Sequence, residues 1–323
     1  MSGSDLTTPP PDRGVMATTD ARSLLSPEFQ PLLEGFSEGL FEAAALPSLR
    51  VPLPGLGSTE RVERTEHRVT PAPEVPLRVH RPIGVAGPLP CVFSMHGGGF
   101  VLGSYDMDDQ RFEGWCPELG VLGVSVEYRL APESPYPGAL EDCYRGIKWA
   151  YDNARELGID RARMGVYGVS AGGGLAAALA LLVRDRGEMT LAFALLESPM
   201  LDDRQITPSS TLDNLAVYNK QANEFCWQCY LGDAAGGPEV PYYAAPARAL
   251  DLSGLPPTFI SVGTVDGFRD EDGDYGLRLN QAGVPTELHL YPGAPHGFQL
   301  SPESAVARQA ERDSDEWLRR ILR

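Results

Sequence analysis

From Arg61 onward the chain is punctuated by short apolar runs: LRVH, CVFSMH, VLGVSVEY, RMGVY, LAFALLE, TFISVG and TELHLYP. Several are nearly continuous in Val, Ile, Leu and Phe, the composition of strands covered on both faces. Between them lie longer amphipathic stretches such as PGALEDCYRGIKWAYDNARELG and DYGLRLNQAG, which read as helices. Alternation of this kind predicts an α/β fold built on a largely parallel sheet. With 323 residues the chain is long enough for one large domain.

Two segments break the rhythm. Residues 1–60 are Pro-rich at the start and then helix-like, as in SPEFQPLLEGFSEGLFEAA. Residues 201–252 contain no convincing strand, and long irregular insertions of this kind are often lids or substrate-binding elements. The core is therefore expected in residues 61–200 and 253–323.

Charge and composition exclude several classes. The net charge is −17, from 44 acidic and 27 basic residues, with no basic stripe to meet phosphates. That argues against nucleic acid and anionic membranes as partners. No apolar run approaches the ~20 residues that span a bilayer, and MSGSDLTTPPPDRG lacks the basic start and apolar core of a secretory signal. A cytoplasmic protein is the expectation. Five thinly spread cysteines do not make a disulfide framework. Cys226 and Cys229 form a C-x-x-C without a second ligand pair, and read as two partly buried thiols on one face of a short helix.

The chemistry centres on GVSAG. Ser170 lies between a strand and a helix, with Gly168 and Gly172 flanking it. A nucleophile on such a sharp turn is thrust above the sheet edge, and the following helix aims its N-terminal N–H groups at the same spot. A serine hydroxyl needs a base, and the base an orienting carboxylate. His289 and His296 are the histidines that follow Ser170. His289 falls inside a strand, whereas His296 falls in a loop beyond a strand end, where sites of open α/β sheets lie. The acid is expected at Asp266, behind the strand of TFISVG, with Asp270 as its rival. Asp270, Glu271, Asp272 and Asp274 do not form a calcium loop, because the required glycine position holds Tyr275. They are expected to open the next helix, complementing its dipole.

A third piece is SMHGGGFVLGS. Consecutive glycines leave backbone N–H groups unshielded, so Gly97 and Gly98, with the N–H of Ala171, are candidate oxyanion donors. The loop lacks the Lys-Ser/Thr of a phosphate-binding P-loop. His96 reads as a loop-fixing side chain. No metal or organic cofactor is called for.

The set HGGGF, EYRLAPE, GVSAGGGLAAALA, DGFRDE and HGF, in that order, resembles the bacterial hormone-sensitive-lipase-like carboxylesterases from Val69 onward. ESPMLDDR and YAAPARALDLSGLPPT are similar to the branch of acetyl esterases of the heroin-esterase type. The resemblance implies an α/β-hydrolase core with a mixed, mostly parallel eight-stranded sheet, and a helical cap made from residues 1–60 and 201–252. It places nucleophile, acid and base on Ser170, Asp266 and His296, and the oxyanion loop on Gly97 and Gly98. It also implies esters of short acyl groups, acetyl to about hexanoyl, as substrates, and is compatible with a homodimer. Departures are Val169, where the family often has Asp, and Gly267, where it often has Pro. Arg129 in YRLAPE is expected to anchor the loop behind the oxyanion strand. Phe36, Phe41, Tyr218, Phe225, Trp227 and Tyr230 either line a compact acyl pocket or form ordinary cap core. An amidase or carbohydrate deacetylase with the same triad, and a non-catalytic receptor for a small molecule, are the rival functions.

Overall fold

The structure, a computed structural model, describes residues 21–35, 41–51, 54–212 and 218–323. Phe36, one of the aromatics singled out above, lies outside them. Eight strands form one sheet in the order β1-β2-β4-β3-β5-β6-β7-β8. They are β1 (Val62–Val69), β2 (Val75–Pro82), β3 (Leu89–Met95), β4 (Leu122–Val126), β5 (Ile159–Val169), β6 (Ala194–Glu197), β7 (Thr258–Val265) and β8 (Thr286–Pro295). β1 and β2 form an antiparallel hairpin, β2 pairs antiparallel with β4, and every other neighbouring pair is parallel.

The seven apolar runs all fall in strands, and β1 is the one that sequence patterning missed. Its residues VERTEHRV bury only the two terminal valines. An edge strand with polar side chains on both faces carries no apolar alternation, and its charge also discourages pairing with another chain.

The helices among the described residues are α1 (Gln30–Gly35), α2 (Leu46–Leu49), α3 (Asp109–Leu119), α4 (Gly138–Asp152), α5 (Ala154–Leu157), α6 (Ala171–Arg186), α7 (Lys220–Leu231), α8 (Arg269–Gln281) and α9 (Ala305–Ile321). One face of the sheet packs on α4, α6 and α8. The other face meets α3 and α9, where Phe112, Trp115, Phe193, Trp317 and Leu318 form a second apolar layer. α6 is apolar all round and is buried from Ala171 to Val183, as its central position requires.

Residues 201–212 and 218–252 contain no strand; they hold α7 and three short 3-10 turns. Residues 25–32 pack beside the far end of β8: Leu25, Phe29 and Leu32 share a cluster with Tyr291 and Phe298, and the Ser26 N–H donates to the Gly293 carbonyl. No described helix is long and apolar enough to cross a membrane.

Candidate active site

β5, β7 and β8 run parallel, and β6 separates β5 from β7. Their C-terminal ends therefore open on one edge of the sheet. Ser170 follows β5, Asp266 follows β7 and His296 follows β8. The turn at Ser170 has φ 58° and ψ −122°, a strained region for any residue with a side chain. Backbone bonds on every side hold it there. The Ser170 N–H donates to the Glu197 carbonyl, while the Ser170 carbonyl accepts from Gly174 and Met200.

The glycines around it are needed for close approach. A Cβ on Gly172 would overlap the Met95 and His96 carbonyl oxygens, and one on Gly168 would overlap the Gly172 carbonyl. Gly172→Ala will therefore destabilise the protein by about 1–3 kcal/mol or more, because two backbone segments must separate. Gly114→Ala makes the control. Gly114 sits inside α3 with open space where a Cβ would go, so helix propensity predicts a gain of up to about 1 kcal/mol. Urea midpoints with unchanged m-values measure both; equal shifts would discount the packing argument.

The three side chains form one hydrogen-bonded chain. His296 Nε2 lies 2.9 Å from Ser170 Oγ, and His296 Nδ1 lies 2.8 Å from Asp266 Oδ2. Asp266 Oδ1 accepts from the Phe268 N–H at 2.9 Å. An ionised carboxylate only accepts, so Nδ1 carries the ring proton and Nε2 faces the serine hydroxyl as an acceptor. Asp266 is fully buried, while Ser170 and His296 retain 6% and 7% exposure, which leaves the reacting end reachable.

The rivals turn elsewhere. Asp270 takes the Ser209 N–H at 2.7 Å and the Arg269 guanidinium at 2.7 Å. Burial opposes its ionisation, yet the arginine and the amide outweigh it and hold the carboxyl below its usual range. His289 sits within β8 with Nε2 on Glu287 and its ring against Phe259.

The loop after β3 lies directly over this chain. The position a Cβ would take on Gly97 is 3.5 Å from Ser170 Cβ, so Gly97 passes close to the serine. Gly98, Gly99 and Phe100 all have positive φ, at 112°, 61° and 64°. The Gly98 carbonyl accepts from Val101 and Leu102 and closes a tight turn. Among the described residues no backbone acceptor meets the N–H of Gly97 or Gly98. His96 fixes the base of the loop. Its Nδ1 donates to the Gly97 carbonyl at 2.8 Å, and its ring stacks on Tyr128 at 4.1 Å. Burial pushes its pKa down to about 4, so it is neutral across the physiological range and has no proton-transfer partner at Nε2 among the described residues. Arg129 pairs with the buried Asp142 of α4 at 2.7 Å and ties down the loop after β4.

Aromatic side chains crowd the site. The rings of Phe268 and Tyr218 lie 5.0 Å and 5.2 Å from the His296 ring, and Phe41 meets Tyr218 edge-on at 5.1 Å. Trp227 and Tyr230 of α7 pack on Phe100, while Phe225 is half-buried. Cys226 and Cys229 are free thiols on α7, one buried and one half-buried. No group of three or more His, Cys, Asp or Glu residues able to hold a metal occurs among the described residues.

The acidic run does open α8, as expected, and two of its members are also buried. Glu271 and Asp272 are buried, and burial raises both carboxyl pKa values well above the usual range. Glu271 Oε1 accepts from the N–H groups of Leu201 and Asp202 and holds the segment after β6 in place. Their spacing from Tyr275, which is also buried on the inner face of α8, was the available sequence signal.

Comparison with known proteins gives a consistent result. A family model described as alpha/beta hydrolase fold matches residues 92–300. The carboxylesterase NlhH of Mycobacterium tuberculosis is 35% identical over 290 residues, covering 87% of this chain and 90% of the relative. An arylesterase of Saccharolobus solfataricus is 34% identical over 72% of this chain and 75% of its own length. Among solved structures, a bacterial heroin esterase superposes with a TM-score of 0.87 at 38% identity, covering 93% of this chain and 99% of that one.

Proposed function

The chain belongs to the alpha/beta hydrolase fold family, in its hormone-sensitive-lipase-like group, and is a carboxylic ester hydrolase; from that premise we propose that Ser170, His296 and Asp266 carry the reaction on short-chain acyl esters. The observation that carries this reading is the unbroken hydrogen-bonded chain from Ser170 Oγ through His296 to Asp266.

Ser170 Oγ attacks the ester carbonyl carbon as His296 Nε2 takes its proton. The carbonyl oxygen becomes an oxyanion that receives the N–H groups of Gly97, Gly98 and Ala171, the last at the positive end of the α6 dipole. Collapse breaks the bond to the alcohol oxygen, which leaves with the proton from His296. Water then attacks the acyl-serine, gives its proton to His296, and releases the carboxylic acid with Ser170 restored. Asp266 accepts the Nδ1–H throughout, which fixes the tautomer and stabilises the imidazolium.

The described parts of the two segments, residues 21–35, 41–51, 201–212 and 218–252, act as a cap over the strand ends. Phe41, Tyr218 and Phe268 enclose the space beside His296, which supports a compact acyl pocket. Four buried free cysteines and one half-buried one suit a reducing compartment, and we assign the protein to the cytoplasm.

The test is a series of p-nitrophenyl esters from acetate to dodecanoate, with peptide mapping after treatment with a short alkyl phosphonate. kcat/KM will peak between two and six acyl carbons, and the phosphonyl group will be found on Ser170. A peak at ten or more carbons would reject the compact pocket, and an adduct on another residue would reject the nucleophile.

A further inference from the structure

We propose that Tyr230, at the end of α7, is a positioning residue for the oxyanion loop, acting through the ring of Phe100; this inference rests on the esterase reading above. The loop from Gly97 to Leu102 sits in a conformation that is costly to hold. Phe100 is the one residue of its left-handed stretch that is not glycine, and a left-handed backbone with a Cβ costs on the order of 1 kcal/mol or more. A strained residue persists only where its surroundings over-determine it.

Here the surroundings come from the cap. The Phe100 ring is buried and lies parallel to Tyr230, with centroids 4.1 Å apart and planes 12° apart. Trp227, one turn earlier on α7, closes on the same ring at 5.4 Å. Tyr230 is itself held from behind, because its carbonyl accepts from the Tyr136 N–H at 2.8 Å and its ring meets Tyr136 edge-on. The Phe100 carbonyl accepts from Ala131 at 2.9 Å. Arg50, from the N-terminal segment, donates to the Val101 and Ala131 carbonyls and pairs with Glu133. The stack thus joins the outer end of the loop to α7, while His96 and Tyr128 fix its inner end.

The Tyr230 hydroxyl is buried without a partner among the described residues, as is the Trp227 indole N–H. The hydroxyl therefore does not orient the Tyr230 ring; the flat ring face against Phe100 does, with the backbone bond from Tyr136 behind it. Loss of that face lets Phe100 leave its left-handed conformation and rotates the Gly97 and Gly98 N–H groups off the developing oxyanion. Such a change weakens transition-state binding and spares the ground state.

The experiment compares wild type, Tyr230→Leu, Phe100→Leu and Tyr230→Phe on p-nitrophenyl butyrate. Melting temperature and circular dichroism are recorded for each. Phe100→Leu removes the stack from the other side and leaves the cap sequence intact, which keeps the test open if Tyr230→Leu does not fold. Both leucine variants are expected to lose about 10- to 100-fold in kcat with KM within about twofold, part of the 10²–10³ carried by a single oxyanion donor. Inhibition by a short-chain trifluoromethyl ketone, which Ser170 converts to a tetrahedral adduct, will weaken by the same factor. Inhibition by butyrate, the planar product, will not change. Tyr230→Phe keeps the ring and will restore the turnover that Tyr230→Leu loses. Unchanged kcat per folded molecule in both leucine variants overturns the inference, whatever the melting temperature does. An inactive wild type would remove the esterase reading as well, so the two failures are distinct.

Discussion

Ser170→Ala will lower kcat toward p-nitrophenyl butyrate by about 10⁶-fold, the scale on which triad nucleophiles are lost elsewhere. On the proposed reading the variant lacks the atom that bonds to the acyl carbon. His296 Nε2 then faces a methyl group and has no proton to take. What survives is the rate enhancement of about 10³–10⁴ over water that oxyanion donors and substrate binding supply by themselves. The fold will be retained. The strained turn is fixed by backbone bonds to Glu197, Gly174 and Met200, and none of them uses the serine side chain. Circular dichroism should match the wild type, and KM should change little. Residual turnover within about 100-fold of wild type, in protein prepared free of native enzyme, would place the nucleophile elsewhere.

Asp266→Asn carries the second largest expected effect, about 10⁴ in kcat. The substitution preserves size, and it keeps the acceptor for the Phe268 N–H when the amide oxygen takes the place of Oδ1. It changes what His296 Nδ1 meets. An amide NH₂ turned toward Nδ1 forces the ring proton onto Nε2, where it points at Ser170 and blocks proton removal. An amide oxygen turned that way keeps the tautomer but supplies no charge to stabilise the imidazolium. Asp270→Asn is the control, because Asp270 is occupied by Arg269 and Ser209. It should cost no more than a few-fold. Reversal of the two effects would transfer the role of acid to Asp270.

Both predictions concern candidate residues whose placement together was legible in the chain itself, and the reason is local. A nucleophile turn needs glycine on either side, an oxyanion loop needs consecutive glycines, and each requirement is written within five residues of Ser170 or Gly98. His296 and Asp266 were legible one step later, because a strand end can be located from where an apolar run stops. What patterning did not reveal depends on neighbours distant in sequence. β1 has no apolar face to announce it. Glu271 looks like an ordinary member of an acidic helix start until the segment after β6 is laid across it. The stack of Phe100 on Tyr230 joins residues 130 positions apart, and neither local sequence hints at the other.

The strand order also shapes how the protein reaches its working form. The Ser170–His296 hydrogen bond spans 126 positions, and it exists only when β6 and β7 have paired between β5 and β8. The β1-β2 hairpin, by contrast, is closed by a short local turn. Non-local parallel pairing pays its loop-closure entropy before it gains contacts and is slow. During refolding, secondary structure and the hairpin therefore return ahead of hydrolysis, and recovered turnover reports the completion of the last strand crossover rather than the first collapse.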